Sequence, residues 1–85
     1  MFELEDKDAK KHFKNIIKKH PTSDYAIASE YYLGLLELKN LPENEKRKAK
    51  AIERAINHFK TYIQKSPNGR FSLKSIEEIK KLKRL

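Results

Sequence analysis

Catalysis by protein side chains requires a nucleophile, a proton acceptor and a group that holds developing charge, all brought to one place. In this chain of 85 residues the candidates are three histidines and twelve carboxylates, and cysteine is absent. That absence removes thiolate nucleophiles, thiolate metal sites and disulfides together. His12, His20 and His58 are 8 and 38 residues apart, so no two have the i, i+4 spacing that places a metal-binding pair on one helix face. The acidic residues read as dispersed over solvated faces, with no two set apart for general acid and base work. No catalytic residue, metal site or cofactor is therefore expected, and the chain reads as a non-enzyme. His12 and His58 each precede a phenylalanine and read as flank residues of a core. His20, just before Pro21, suits the negative end of a helix.

The net charge of +8 raises nucleic-acid binding instead. Lys46, Arg47, Lys50 and Arg54 form the best phosphate-contacting patch. Two observations weigh against it. Sixteen of the twenty basic residues are lysine, whereas phosphate and base recognition favours the bidentate fork of arginine. Only the ring of His58 lies near that face, where single-strand binding needs several rings to stack on. The patch is expected to be a solvated face, with a small basic nucleic-acid-binding protein as the alternative function. No apolar run approaches the ~18 residues of a membrane span, and the acidic start MFELEDKDAK is unlike a secretory signal, so no membrane insertion is expected. The compartment is left open: cytoplasmic for a complete chain, periplasmic for a piece of an exported precursor.

The elements that must position these groups read as helices. One domain is expected over residues 1–85, near the lower size at which a core holds itself together. Two glycines, three prolines and no tryptophan favour a few long helices over many short strands. The first runs from Asp6 or Asp8 to Lys19, with Glu5, Asp6 and Asp8 at its start and Ala9, Phe13, Ile16, Ile17 and His20 as its apolar stripe. Pro21 ends it, and Thr22 or Ser23 caps the second, which ends near Lys39. That second helix is apolar on two sides. Ile27, Tyr31, Gly34, Leu35 and Leu38 make one stripe; Tyr25, Ala28, Tyr32 and Leu36 make the other. Such a helix must lie between two neighbours. Gly34 costs ~1 kcal/mol against alanine in a helix and predicts close approach of a neighbouring backbone. Pro42 is expected at the first position of the third helix, which runs to Lys65 with the stripe Ala49, Ile52, Ala55, Ile56, Phe59, Tyr62 and Ile63. Ser66, Pro67, Asn68 and Gly69 signal a turn. The fourth helix starts near Arg70, and its Leu73, Ile76, Ile79, Leu82 and Leu85 recur every third position, so the stripe drifts by ~60° per step.

Aligned on itself at an offset of 46 residues, the chain matches AKKHFKNIIKKHPTSDYAI with AINHFKTYIQKSPNGRFSL. Ala9, His12, Phe13, Lys14, Ile17, Lys19 and Pro21 recur as Ala55, His58, Phe59, Lys60, Ile63, Lys65 and Pro67, and Tyr25 answers to Phe71. A match of this density over two helix-turn-helix units marks a helical repeat. At Ala9, Phe13, Ile16, Ile17, Pro21, Ser23, Tyr25, Ala26, Tyr31, Leu33 and Gly34 the sequence resembles the tetratricopeptide family, in the variant found in Tol-Pal system and outer-membrane assembly proteins of the bacterial envelope. The second copy keeps Ala55, Phe59, Tyr62, Ile63 and Pro67 and then departs, with Lys80 where the family has glycine. The stretch from Gly34 to Ala55 is longer than the usual repeat by roughly nine residues, and Asn40 to Lys48 reads as the insert.

The resemblance implies an all-α fold of four antiparallel helices, about two helix-turn-helix repeat units in a right-handed superhelical array. It also implies a scaffold that binds a protein or peptide in a concave groove. Carried over by position, the groove comprises Ala28, Tyr31, Leu35, Leu38 and Lys39 on the second helix and Lys74, Glu77, Lys81 and Arg84 on the fourth. An apolar wall facing a mostly basic one suits an extended peptide with acidic residues or a free C-terminal carboxylate. The open end faces of so short an array are consistent with self-association, and the missing glycine at Lys80 suggests that the fourth helix caps the array.

Overall fold

The computed structural model describes residues 6–84, Asp6 by its backbone alone. Four helices follow one another: α1 (Asp6–Lys19), α2 (Asp24–Lys39), α3 (Glu45–Lys65) and α4 (Ser72–Leu82). No strand occurs among the described residues. The expectations that fell on Glu5, the Asp6 side chain and Leu85 lie outside them.

Each boundary has a local cause. Past Lys19 the carbonyl of His20 accepts from both the Ser23 amide and the Ser23 hydroxyl, each at 3.0 Å. The Ser23 Oγ in turn accepts from the Ala26 amide at 3.1 Å and so caps α2. Pro42 does not open α3, which begins three residues later. Asn44 Oδ1 accepts from the amides of Lys46 and Arg47 at 3.0 and 3.1 Å, satisfying two of the helix's orphan donors where a proline at N1 would satisfy none. Replacement of Asn44 by alanine is accordingly expected to cost about 1 kcal/mol, read as a lower urea midpoint at unchanged slope. Residues 45–50 are all exposed, and the first buried position of α3 is Ala51. The stretch from Asn40 to Lys48, expected to be an insert, is divided between the connection at 40–44 and the exposed first turn of α3. Ala49, expected in the apolar stripe, faces solvent; Ala51, which the stripe did not include, is buried with Ala55, Phe59 and Tyr62, and Ile52 and Ile56 pack against them as expected. The fourth helix is shorter than its apolar spacing suggested and ends at Leu82.

Helix α2 packs against both α1 and α3, and α4 packs against α3. Its two apolar sides are filled from opposite directions. Tyr31 joins Ala55, Phe59, Tyr62 and Leu82, with Ile27, Leu38, Ile52 and Ile56 around them. Leu33 joins Ala9 and Phe13 of α1, with Ile17 and Leu36 around them. Leu33, which neither expected stripe included, is 2% exposed, whereas Leu35, placed in the inner stripe, is 37% exposed. Both α1 and α3 run antiparallel to α2. The pairs Glu37 with Arg54 and Glu30 with Lys65 set the direction of α3, and Lys10 with Glu37 followed by Phe13 with Tyr32 sets that of α1.

Gly34 is the close-contact point, but its neighbour is a ring and not a backbone. A Cβ at Gly34 would lie 2.7 Å from Cε1 of Phe59, whose ring is fully buried. Some positions related by the 46-residue offset share their burial, whereas Glu30, Tyr31 and Gly34 are buried and their mates Ile76, Glu77 and Lys80 are exposed. Ala9 and Ala55, Phe13 and Phe59, Ala26 and Ser72, and Ser29 and Ser75 are all buried.

Candidate functional site

A cleft is made by the turn between α3 and α4 folding back over the start of α2. Within that turn the Gly69 amide donates to the Ser66 carbonyl at 3.1 Å, the Ser72 amide to the Gly69 carbonyl at 3.2 Å, and the Phe71 amide to the Tyr62 hydroxyl at 3.1 Å. A Cβ on Gly69 would meet Ser66 Oγ and lie 2.5 Å from that hydroxyl oxygen, so a larger residue there would have to displace both side-chain ends. The result lays Phe71 flat on Tyr31, with ring centroids 4.3 Å apart and planes 5° from parallel. Ile27, Ala28, Tyr32, Tyr62 and Phe71 form the walls of a cleft of about 600 Å³, and Asp24, Tyr25 and Arg70 stand at its edge. The guanidinium carbon of Arg70 is 6.0 Å from the Phe71 ring centroid, and the hydroxyl of Tyr25 lies 3.4 Å from Nε2 of His12. Apolar walls with a few charged groups at the mouth, at this volume, are the usual form of a small binding pocket.

Of the groove positions implied by resemblance, Ala28 lines this cleft. Tyr31 is buried behind it under Phe71. Burial, and then the Glu78 carboxylate with Tyr32 and Tyr62, push the Tyr31 phenol above its usual value. Leu38 is half-buried against the α2–α3 cluster, and Leu35 and Lys39 are exposed towards the far end of α2. Lys74, Glu77 and Lys81 of α4 are exposed, and Arg84, expected on the same helix, is exposed two residues past its end; Lys81 is 3.8 Å from Glu78. Tyr25, Tyr32, Arg70 and Phe71 were not among the groove positions. The signal that could have found two of them is the repeat itself, which pairs Tyr25 with Phe71.

Helix α2 also carries two buried carboxylates that charge patterning placed on solvated faces. Glu37 accepts from Nζ of Lys10 at 3.0 Å and from Nε of Arg54 at 3.2 Å, so one side chain ties α1 and α3 to the helix between them. Burial favours the protonated form, but the hydrogen bonds from Arg54 and Lys10 outweigh it and hold the carboxyl below its usual range. One turn pair earlier, Glu30 lies 3.0 Å from Nδ1 of His58 and 3.9 Å from Nζ of Lys65. Within the basic patch of α3, Arg54 is thus committed to Glu37, and Lys46, Arg47 and Lys50 are exposed at the start of the helix. Among the described residues no three His, Asp or Glu side chains converge as a metal site, and no helix is long and apolar enough to cross a membrane.

Comparison with protein-family models, with curated proteins and with solved structures finds no match to this chain.

Proposed function

We propose that this chain is a non-catalytic protein-interaction module of tetratricopeptide-like design that binds a short peptide segment of a partner protein. The observation that carries this reading is the aromatic cleft between the start of α2 and the α3–α4 turn, an apolar pocket with one cation and one carboxylate at its mouth. The tetratricopeptide-like part of the reading rests on the internal repeat, on the shared burial of some repeat-equivalent positions and on each helix packing against its neighbour in sequence. A bulky apolar side chain of the peptide fills the cleft and packs against Tyr32 and Phe71, which touch each other edge to face. Arg70 then pairs with an acidic residue or a terminal carboxylate beside it. By resemblance, bacterial envelope assembly is the setting in which such a module would serve.

Selection of peptides from a random library on the immobilised protein tests this. Retained sequences are expected to share one large apolar residue next to a carboxylate. Two variants at exposed or half-buried positions, Ala28→Arg, which fills the cleft, and Arg70→Glu, which reverses the charge at its mouth, are expected to weaken binding about tenfold or more while thermal stability stays near wild type. Peptides that bind the wild type and both variants equally would place recognition elsewhere on the surface.

A further inference from the structure

The shared carboxylate of Glu37 joins two rows of cations that lie far apart in sequence. Lys10 on α1 and Arg54 on α3 reach the two oxygens of one side chain, so the helices that carry them flank a common seam over α2. Both run antiparallel to α2 and hence parallel to one another. Lys7 and Lys14 lie three residues before and four after Lys10, and Lys50 and Arg47 lie four and seven before Arg54. Each set therefore follows one edge of its helix, with a charge about every 5 Å along the axis. Lys7 and Lys10 also line a shallow depression beside Glu37 and Asn40. Lys7, Lys14, Arg47 and Lys50 are exposed. Glu53, three residues on from Lys50, stands on the outer flank of the α3 row.

We infer that this seam is a second binding surface, separate from the aromatic cleft, and that its ligand is the phosphate backbone of a nucleic-acid duplex. Three kinds of polyanion could meet such a surface, and its composition separates them. A protein partner would require an apolar centre to the interface, and a lipid surface would require apolar side chains to insert. Among the described residues the exposed large apolar side chains, Tyr25, Leu35, Leu73 and Ile76, all belong to α2 and α4. A single strand would require several exposed rings for its bases; Phe13, Phe59 and Tyr62 of α1 and α3 are buried, and the two imidazoles on these helices are turned to Tyr25 for His12 and to Glu30 for His58. What remains is contact with phosphate alone, made mostly by lysine as a point charge and hence indifferent to base sequence.

Fluorescence anisotropy with a labelled DNA duplex of about 20 base pairs, titrated at about 50 and 200 mM salt, tests the assignment. With Lys10 and Arg54 held by Glu37, contact of Lys7, Lys14, Arg47 and Lys50 with phosphates predicts a slope of log affinity against log salt of about −3.6 and a loss of about a hundredfold between those two conditions. The double variant Lys14→Glu with Lys50→Glu leaves Lys10 and Arg54 on Glu37 and so preserves the fold. It is expected to weaken duplex binding at least about tenfold and to flatten the salt slope by about two. The variant Lys80→Glu with Lys83→Glu makes the same charge change at the end of α4 and on its C-cap residue and is expected to bind as wild type does. Equal losses in the two double variants would reduce the effect to net charge and overturn the seam. Equal affinity for polyglutamate or for phosphatidylserine vesicles, or absence of duplex binding at the lower salt, would overturn phosphate backbone as its ligand.

Discussion

Phe59→Ala is expected to cost about 3–5 kcal/mol, a large share of the roughly 4–13 kcal/mol that an ordinary chain of this length commands. Phe59 is 0% exposed and fills the space that Gly34 leaves open between α2 and α3. Its ring lies 5.7 Å from that of Tyr31, centroid to centroid. Truncation removes that contact and opens a cavity that two rigid helices cannot close. The reciprocal change is also expected to hurt. Gly34→Ala gains about 1 kcal/mol in helix propensity, yet its Cβ would lie under 3 Å from three atoms of the ring or at that limit, and overpacking a filled core costs about 1–3 kcal/mol. Combined with Phe59→Leu, which pulls the clashing atoms back, Gly34→Ala should be less harmful than the two single losses added together, by about 1 kcal/mol or more. Urea denaturation of the four proteins in that cycle measures it. Strict additivity would mean that the ring is not what demands glycine.

The second large effect concerns Glu37. Either cation alone is dispensable, because Lys10 and Arg54 are 40% and 53% exposed and solvent screens each pair. Arg54→Met should therefore cost under about 1 kcal/mol. Lys10→Met with Arg54→Met leaves a carboxylate that is 8% exposed with no partner, and about 3 kcal/mol is expected at neutral pH. Acid separates this from a simple packing loss. In the wild type the carboxyl is held below its ordinary value of 4.5, so its contribution is full above that value and is lost as pH falls through the folded one. In the double variant only burial acts, which raises the carboxyl instead, so stability is lost as pH rises above 4.5. The gap between the two proteins should be widest near pH 7 and close towards pH 3, as denaturation midpoints across that range would reveal. A gap independent of pH would assign the loss to packing of the two aliphatic stems.

The helices were legible because their signals are local. Pro21 and the capping hydroxyl of Ser23 end one helix and begin the next within four residues, and the two-sided apolar pattern of α2 required neighbours on both sides whatever they were. At the start of α3 the local signal misled: Pro42 reads as a first helical residue, whereas the Asn44 side chain, accepting from two amides, sets the boundary three residues later. The buried carboxylates were illegible for a different reason. Glu30 and Glu37 look like ordinary solvated charges until partners 28 and 17 residues away are brought alongside, and no periodicity within α2 encodes that. The cleft was half legible. Its aromatic residues stand out in the internal repeat, but the space between them depends on how the turn at 66–71 folds back, which follows from one hydroxyl on Tyr62 accepting one amide. The spacing that named Leu35 as inward and passed over Leu33 shows the same limit, since a helix apolar nearly all round offers no phase by which to choose.

The order of packing, α1 on α2, α2 on α3 and α3 on α4, bears on how the chain reaches its native state. Each strong pairing joins consecutive helices, so each closes only a short loop, and topologies of this kind fold in microseconds to milliseconds. Assembly can spread from α2 in either direction without waiting for the ends of the chain to meet. A molecule built this way can gain or lose a helix at one end while the remainder keeps its own route to the folded state.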